Sequence, residues 1–146
     1  MSSVTNRITI DRPIRDVFAV LTDVEQTGRW FPADVQERWT SPPPHGVGST
    51  RHAIVRMWGL QVENDATVID YDPPFRAVIA GTTPNAPFIG TLVFRDAGQS
   101  TVVDVTTEIA LKRAGRIAAP FASWWYGRLW ARGLETLKRL MESGDL

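Results

Sequence analysis

From Asp34 to Leu111 the sequence returns again and again to short, alternating, β-branched runs, and then closes on one long helical stretch. That succession constrains the fold more than any other feature. Strands are expected at Val35 to Trp39, Ser49 to Trp58, Leu60 to Tyr71, Phe75 to Thr82, Phe88 to Arg95 and Thr101 to Leu111. Pro, Gly and Asp clusters punctuate them, as in Ser41–Gly46, Asp72-Pro73-Pro74, Thr83–Pro87 and Asp96–Ser100. Gly59 between two long runs is a hairpin signal. Short connections between consecutive strands imply antiparallel neighbours. The closing segment, about Ala118 to Glu142, carries Trp130, Leu134, Leu137 and Met141 as one apolar stripe at helical spacing. Pro120 lies near its start, where it is tolerated, and Gly144 is a suitable stop.

The N-terminal segment adds a strand and two short helices. Val4 to Ile10 alternates and is β-branched. Asp11 is positioned as an N-cap and Pro13 as a first-turn residue. Ile14, Val17, Phe18 and Leu21 fall on one helix face, so a helix is expected over about Pro13 to Thr22. A second, from about Val24 to Trp30, should end before Phe31-Pro32. Trp30 is expected to be buried where these helices dock. The order is β-α-α-β6-α, an α+β arrangement of about seven strands in which the last helix is the only element large enough to cover the sheet.

Length and charge bound the rest. One domain is expected over residues 1–146, large enough to bury its own core without a staple. Sixteen basic and sixteen acidic residues leave no net charge, which argues against nucleic-acid binding. The absence of cysteine excludes disulfides, thiolate metal sites and cysteine nucleophiles. His45 and His52 are the only histidines, with no recurring ligand spacing around them, so no metal and no cofactor is expected. No stretch approaches the roughly 18 apolar residues of a membrane span, and the first residues do not read as a signal peptide. A cytoplasmic location is the expectation, with oligomeric state open. Fourteen Arg against two Lys, among many Ala, Gly and Pro, point to a GC-rich bacterial source.

Three segments carry a resemblance. Ile10-Asp11-Arg12-Pro13-Ile14-Arg15-Asp16-Val17-Phe18, with Leu21-Thr22-Asp23 and Gly28-Arg29-Trp30 after it, resembles the strand-Pro-helix entry and Trp-Pro corner of the polyketide cyclase/dehydrase-like family. That family lies within the START-like helix-grip (SRPBCC) superfamily. Gly46-Val47-Gly48-Ser49-Thr50-Arg51 resembles its glycine turn into the third strand. Val68-Ile69-Asp70-Tyr71-Asp72-Pro73-Pro74 resembles its strand end before a double proline. The resemblance implies a curved antiparallel sheet wrapped around the last helix, with a cavity for an apolar or amphipathic small molecule. It brings no universal catalytic motif.

Residue patterns locate candidates for that cavity. Phe121, Trp124, Trp125, Tyr126 and Trp130 crowd the start of the last helix and point in several directions, since adjacent helical residues differ by about 100°. Phe88, Leu92 and Phe94 form the apolar face of their strand. Leu60, Val62, Ala66 and Val68 share a face with Asn64, which is therefore an inward polar group in need of a hydrogen-bond partner. In the preceding strand neither face is clean, and His52 and Arg56 are possible polar cavity residues. Arg128 is a candidate anchor for an anionic head group, against a solvated role beside Glu135. Glu63, Asp65 and Tyr71 lie opposite Asn64 unless a β-bulge intervenes. Two functions compete: binding of a lipid- or polyketide-like molecule, and cyclase/dehydrase-type chemistry on such a molecule. A third is docking of a partner through exposed aromatics.

Overall fold

The first strand, β1 (Ser2–Ile10), pairs with the last, β7 (Ser100–Ile109), and so stands at one edge of the sheet. In this computed structural model the described residues are 2–84, 86–110 and 119–146, with residues 2 and 119–123 described by backbone alone. Between β1 and β7 lie β2 (Asp34–Trp39), β3 (Thr50–Met57), β4 (Leu60–Asp72), β5 (Arg76–Thr82) and β6 (Pro87–Ala97). All seven form one antiparallel sheet in the order β1-β7-β6-β5-β4-β3-β2. This is the α+β arrangement that the strand-rich sequence implies, and the helix-grip architecture that its family resemblance implies.

The first helix, α1 (Ile14–Thr22), buries Ile14, Val17, Phe18 and Leu21, the face set by their spacing. Pro13, not Asp11, occupies its N-cap position, and no side chain caps it. Asp11 lies too far upstream; its carboxylate accepts instead from Ser100 Oγ at 2.7 Å. The following segment, Val24–Arg29, is a 3-10 helix capped by Asp23, whose Oδ1 accepts from the Glu25 amide at 3.1 Å.

The long helix α2 (Ala119–Glu142) lies along β1. Asn6 Nδ2 donates to the Gly127 carbonyl at 3.0 Å and Lys138 Nζ to that of Thr9 at 2.6 Å. The approach is close enough that a Cβ at position 127 would stand 2.9 Å from Val4 Cγ2 and would have to push that methyl aside. Arg12 fastens the far end by donating to the carbonyls of Met141 and Leu146 at 2.8 and 3.1 Å. Leu134, Leu137 and Met141 are buried against Ile8, Ile10, Val17, Phe94, Val103 and Val105. The packed apolar core thus lies under the second half of α2. Among the described residues no helix is long and apolar enough to cross a membrane.

Candidate functional site

Apart from its contact with β1 at Gly127, the described first half of α2 faces the sheet across a space. Trp125, Tyr126, Leu129 and Trp130 line a cavity of about 1260 Å³. Its opposite wall is the inner face of β2 to β7. Pairing fixes which side chains point there. The β3–β4 hairpin turns on Trp58-Gly59, with Met57 opposite Leu60. Directly opposed residues share a face. Val55 therefore accompanies Val62, Ala53 accompanies Asn64, and Arg51 accompanies Ala66. Arg51, Ala53, Val55 and Met57 line the cavity with Leu60, Val62, Asn64 and Val68.

His52 and Arg56, which the unclean pattern of β3 left open as possible polar cavity residues, consequently lie on the other face. His52 Nδ1 pairs with Asp65 at 2.8 Å, and Arg56 Nε donates to Gln61 at 3.0 Å on the solvent side. A bulge at Ile69, between the Val68–Ile79 and Asp70–Val78 pairs, reverses the alternation further along β4. It brings Tyr71 into the cavity wall, where its ring stands 5.6 Å from that of Phe18.

Asn64, Phe88, Leu92 and Trp125 line the cavity. Phe94 does not: at 2% exposure it is sealed in the packed core, its ring 5.1 Å from Phe18. Trp124 and Arg128 also turn away. Trp124 is 56% exposed, with the Arg128 guanidinium 5.2 Å above its ring, because one helical step from the inward Trp125 rotates it out of the wall. The side chain of Phe121 lies outside the described residues.

One polar cluster interrupts the apolar lining. Glu37, on the inward face of β2 between Val35 and Trp39, places Oε2 3.4 Å from Arg51 Nε. The side chains are only 12% and 7% exposed. Arg51 Nη1 donates to Asn64 Oδ1, which answers the need of that inward amide. Burial pushes the Glu37 carboxyl above its ordinary value, while Arg51 and a hydrogen bond with Thr27 pull it down. Burial likewise raises the phenol of Tyr126, with Arg51 opposing and Glu37 reinforcing the shift. These are the titratable groups best placed for chemistry. The unclean pattern of β3 hid Arg51, and the brevity of β2 hid Glu37. The two-residue turn at Trp58-Gly59 was the available signal for Arg51, since it sets the β3–β4 register, whereas Glu37 follows from its pairing opposite Ala53.

At the rim, Trp58 is 78% exposed yet lines the cavity, its ring 5.2 Å from that of Trp125. Its φ of 51° and that of Gly59 at 77° are the left-handed pair that a tight hairpin requires. A tryptophan in that conformation costs about 1–2 kcal/mol, and an aromatic contact returns about 0.5–1.5 kcal/mol. Trp58→Asn should therefore be near neutral in the native chain. In a Trp125→Leu background, where the contact is already gone, it should stabilise by about 1 kcal/mol in urea melts. Equal effects in both backgrounds would show that the rings do not support one another.

No curated protein matches the chain. Among solved structures, a protein of Thermus thermophilus superposes with a TM-score of 0.78 at 16% identity, covering 99% of both chains. A Chromobacterium violaceum protein gives 0.74 at 14% identity, over 96% of this chain and 97% of its own. The Zhui aromatase/cyclase from Streptomyces sp. R1128 gives 0.70 at 16% identity, over 94% and 88%. At such identities these likenesses establish the fold. A family model described as polyketide cyclase/dehydrase and lipid transport matches residues 1–142, nearly the whole length, and the chain belongs to that family.

Proposed function

We propose that the protein binds an apolar or amphipathic small molecule, of lipid- or polyketide-like character, between its sheet and the first half of α2. The observation that carries this is the cavity itself. At about 1260 Å³ it is larger than most small-molecule sites, and apolar side chains dominate its wall. Family membership supports the same reading. The test is saturable binding of the neutral apolar dye Nile red, followed by dye emission and by quenching of tryptophan. Binding should be saturable in the native chain and weaken at least about tenfold in Val55→Trp, whose indole would occupy the space. Unsaturable binding, or no change in Val55→Trp, would refute it.

A second reading, cyclase/dehydrase-type catalysis on such a ligand, is favoured by one feature. Glu37 is a buried acid held above its ordinary value beside Arg51 and Tyr126, a setting in which a carboxyl group can give and take a proton. The Zhui neighbour's description as an aromatase/cyclase points the same way. Turnover of a bound polyketide-like compound, lost in Glu37→Gln while binding persists, would decide for it.

A further inference from the structure

The Glu37–Arg51 pair is closed in charge but open in hydrogen bonding. Arg51 Nη1 is committed to Asn64, and Nε faces Glu37 without a hydrogen bond to it. Nη2 donates to no described residue. The guanidinium stands 5.8 Å from the centre of the Phe88 ring, in a wall shared by Ala53, Val55 and Asn64. The cavity thus holds a spare donor whose positive charge is already answered by a carboxylate. A neutral acceptor can take that donor at little cost. An anion would have to leave water for an apolar space in which the guanidinium it meets is shared with Glu37, and desolvation then outweighs attraction.

We propose that Glu37 and Arg51 together form a charge filter. The pair admits an uncharged amphipath whose polar end is a carbonyl acceptor, such as a ketone or ester, and it turns away organic anions while Glu37 is ionised. This rests on the ligand-binding reading above and names the ligand class within it.

The geometry also makes the filter dependent on pH. Glu37 is faced by Arg51 from β3, by Thr27 from the 3-10 segment and by Tyr126 from α2, while Asn64 on β4 acts through Arg51. His45, stacked on Trp39 at 3.9 Å, lines the same cavity; Asp23 and Glu25 line it near the 3-10 segment, as does Arg15 on α1. Burial favours the protonated acid at Glu37, so acidification discharges it and leaves Arg51 free to receive an anion.

Two probes of matched chain separate these cases by displacement of Nile red: decyl methyl ketone and decanesulfonate, the latter below its micellar concentration and ionised throughout. At about pH 8 the ketone should bind at least about tenfold more tightly than the sulfonate. Glu37→Gln should tighten sulfonate binding about tenfold and leave the ketone unchanged. In the native protein, lowering the pH through the folded value of Glu37, which burial holds above its ordinary one, should reproduce that gain with no substitution at all, and His45→Gln should retain it. In Glu37→Gln the sulfonate response to pH should be flat. Equal binding of both probes at the higher pH, or an unchanged ratio in Glu37→Gln, would overturn the filter while leaving the cavity intact. Failure of Nile red itself to bind would remove the ligand-binding reading and the filter with it.

Discussion

Trp30→Ala is expected to destabilise the protein by about 3–5 kcal/mol, the range for deleting a large buried aromatic. Trp30 is 3% exposed and is held on three sides. Its ring stands 6.0 Å from Phe31 and 5.7 Å from Trp130, with α2 pressed against it at Gly133. A Cβ there would already lie 3.4 Å from two indole carbons. Trp30 Nε1 has no partner among the described residues, so the loss is one of transfer and packing. The void would open onto the cavity that Trp30 helps to line, and α2 cannot collapse into it while β1 anchors the helix through Asn6 and Lys138. Urea denaturation with an unchanged slope should report the difference as a shifted midpoint. A loss under about 1 kcal/mol would show that the 3-10 segment repacks freely.

The burial of Trp30 was legible because it stands at a helix end beside Phe31-Pro32, in a segment whose apolar residues must dock. Ile14, Val17, Phe18 and Leu21 fixed one helix face, and Leu134, Leu137 and Met141 another, by spacing alone. The strand order also followed from short connections, with only the β1–β7 pairing requiring tertiary contacts. Boundaries moved by a residue or two, as at β7, which spans Ser100–Ile109. The site was harder to see. Alternation tells inside from outside only when one face is apolar, and β3 has Arg51 on one face and His52 with Arg56 on the other. Only register resolves that, and register comes from the Trp58-Gly59 turn. A single extra residue at Ile69 then moved Tyr71 across the sheet. On α2 the aromatic cluster showed that some rings must leave the core. The phase that turns Trp125 inward and Trp124 outward is set by contact with β1.

Arg51→Met should cost about as much as the loss of Trp30, for an electrostatic reason. Breaking a buried ion pair strands the partner, at about 3–5 kcal/mol, whereas removing both charges is often close to neutral. With the guanidinium gone, Glu37 keeps its burial and its Thr27 contact but loses the attraction that offsets desolvation. Asn64 loses its donor as well. The double variant Arg51→Met/Glu37→Gln should therefore recover most of the loss, a non-additivity of at least about 2 kcal/mol. The dependence on pH has a definite sign. The Glu37 carboxyl in the folded protein is already raised above its ordinary 4.5, and removing Arg51 raises it further. A raised acid favours the fold in its protonated form, so its contribution is present below the unfolded value and is lost as pH climbs through the folded one. The Arg51→Met deficit should thus be small near about pH 4 and reach its full size only above the folded value. The native chain should show the same trend more weakly, and both Glu37→Gln forms should lack it. A deficit that stays constant across this range, or a double variant no better than Arg51→Met, would mean that Glu37 reaches water in the folded protein, and the charge compensation behind ligand selection would fall with it.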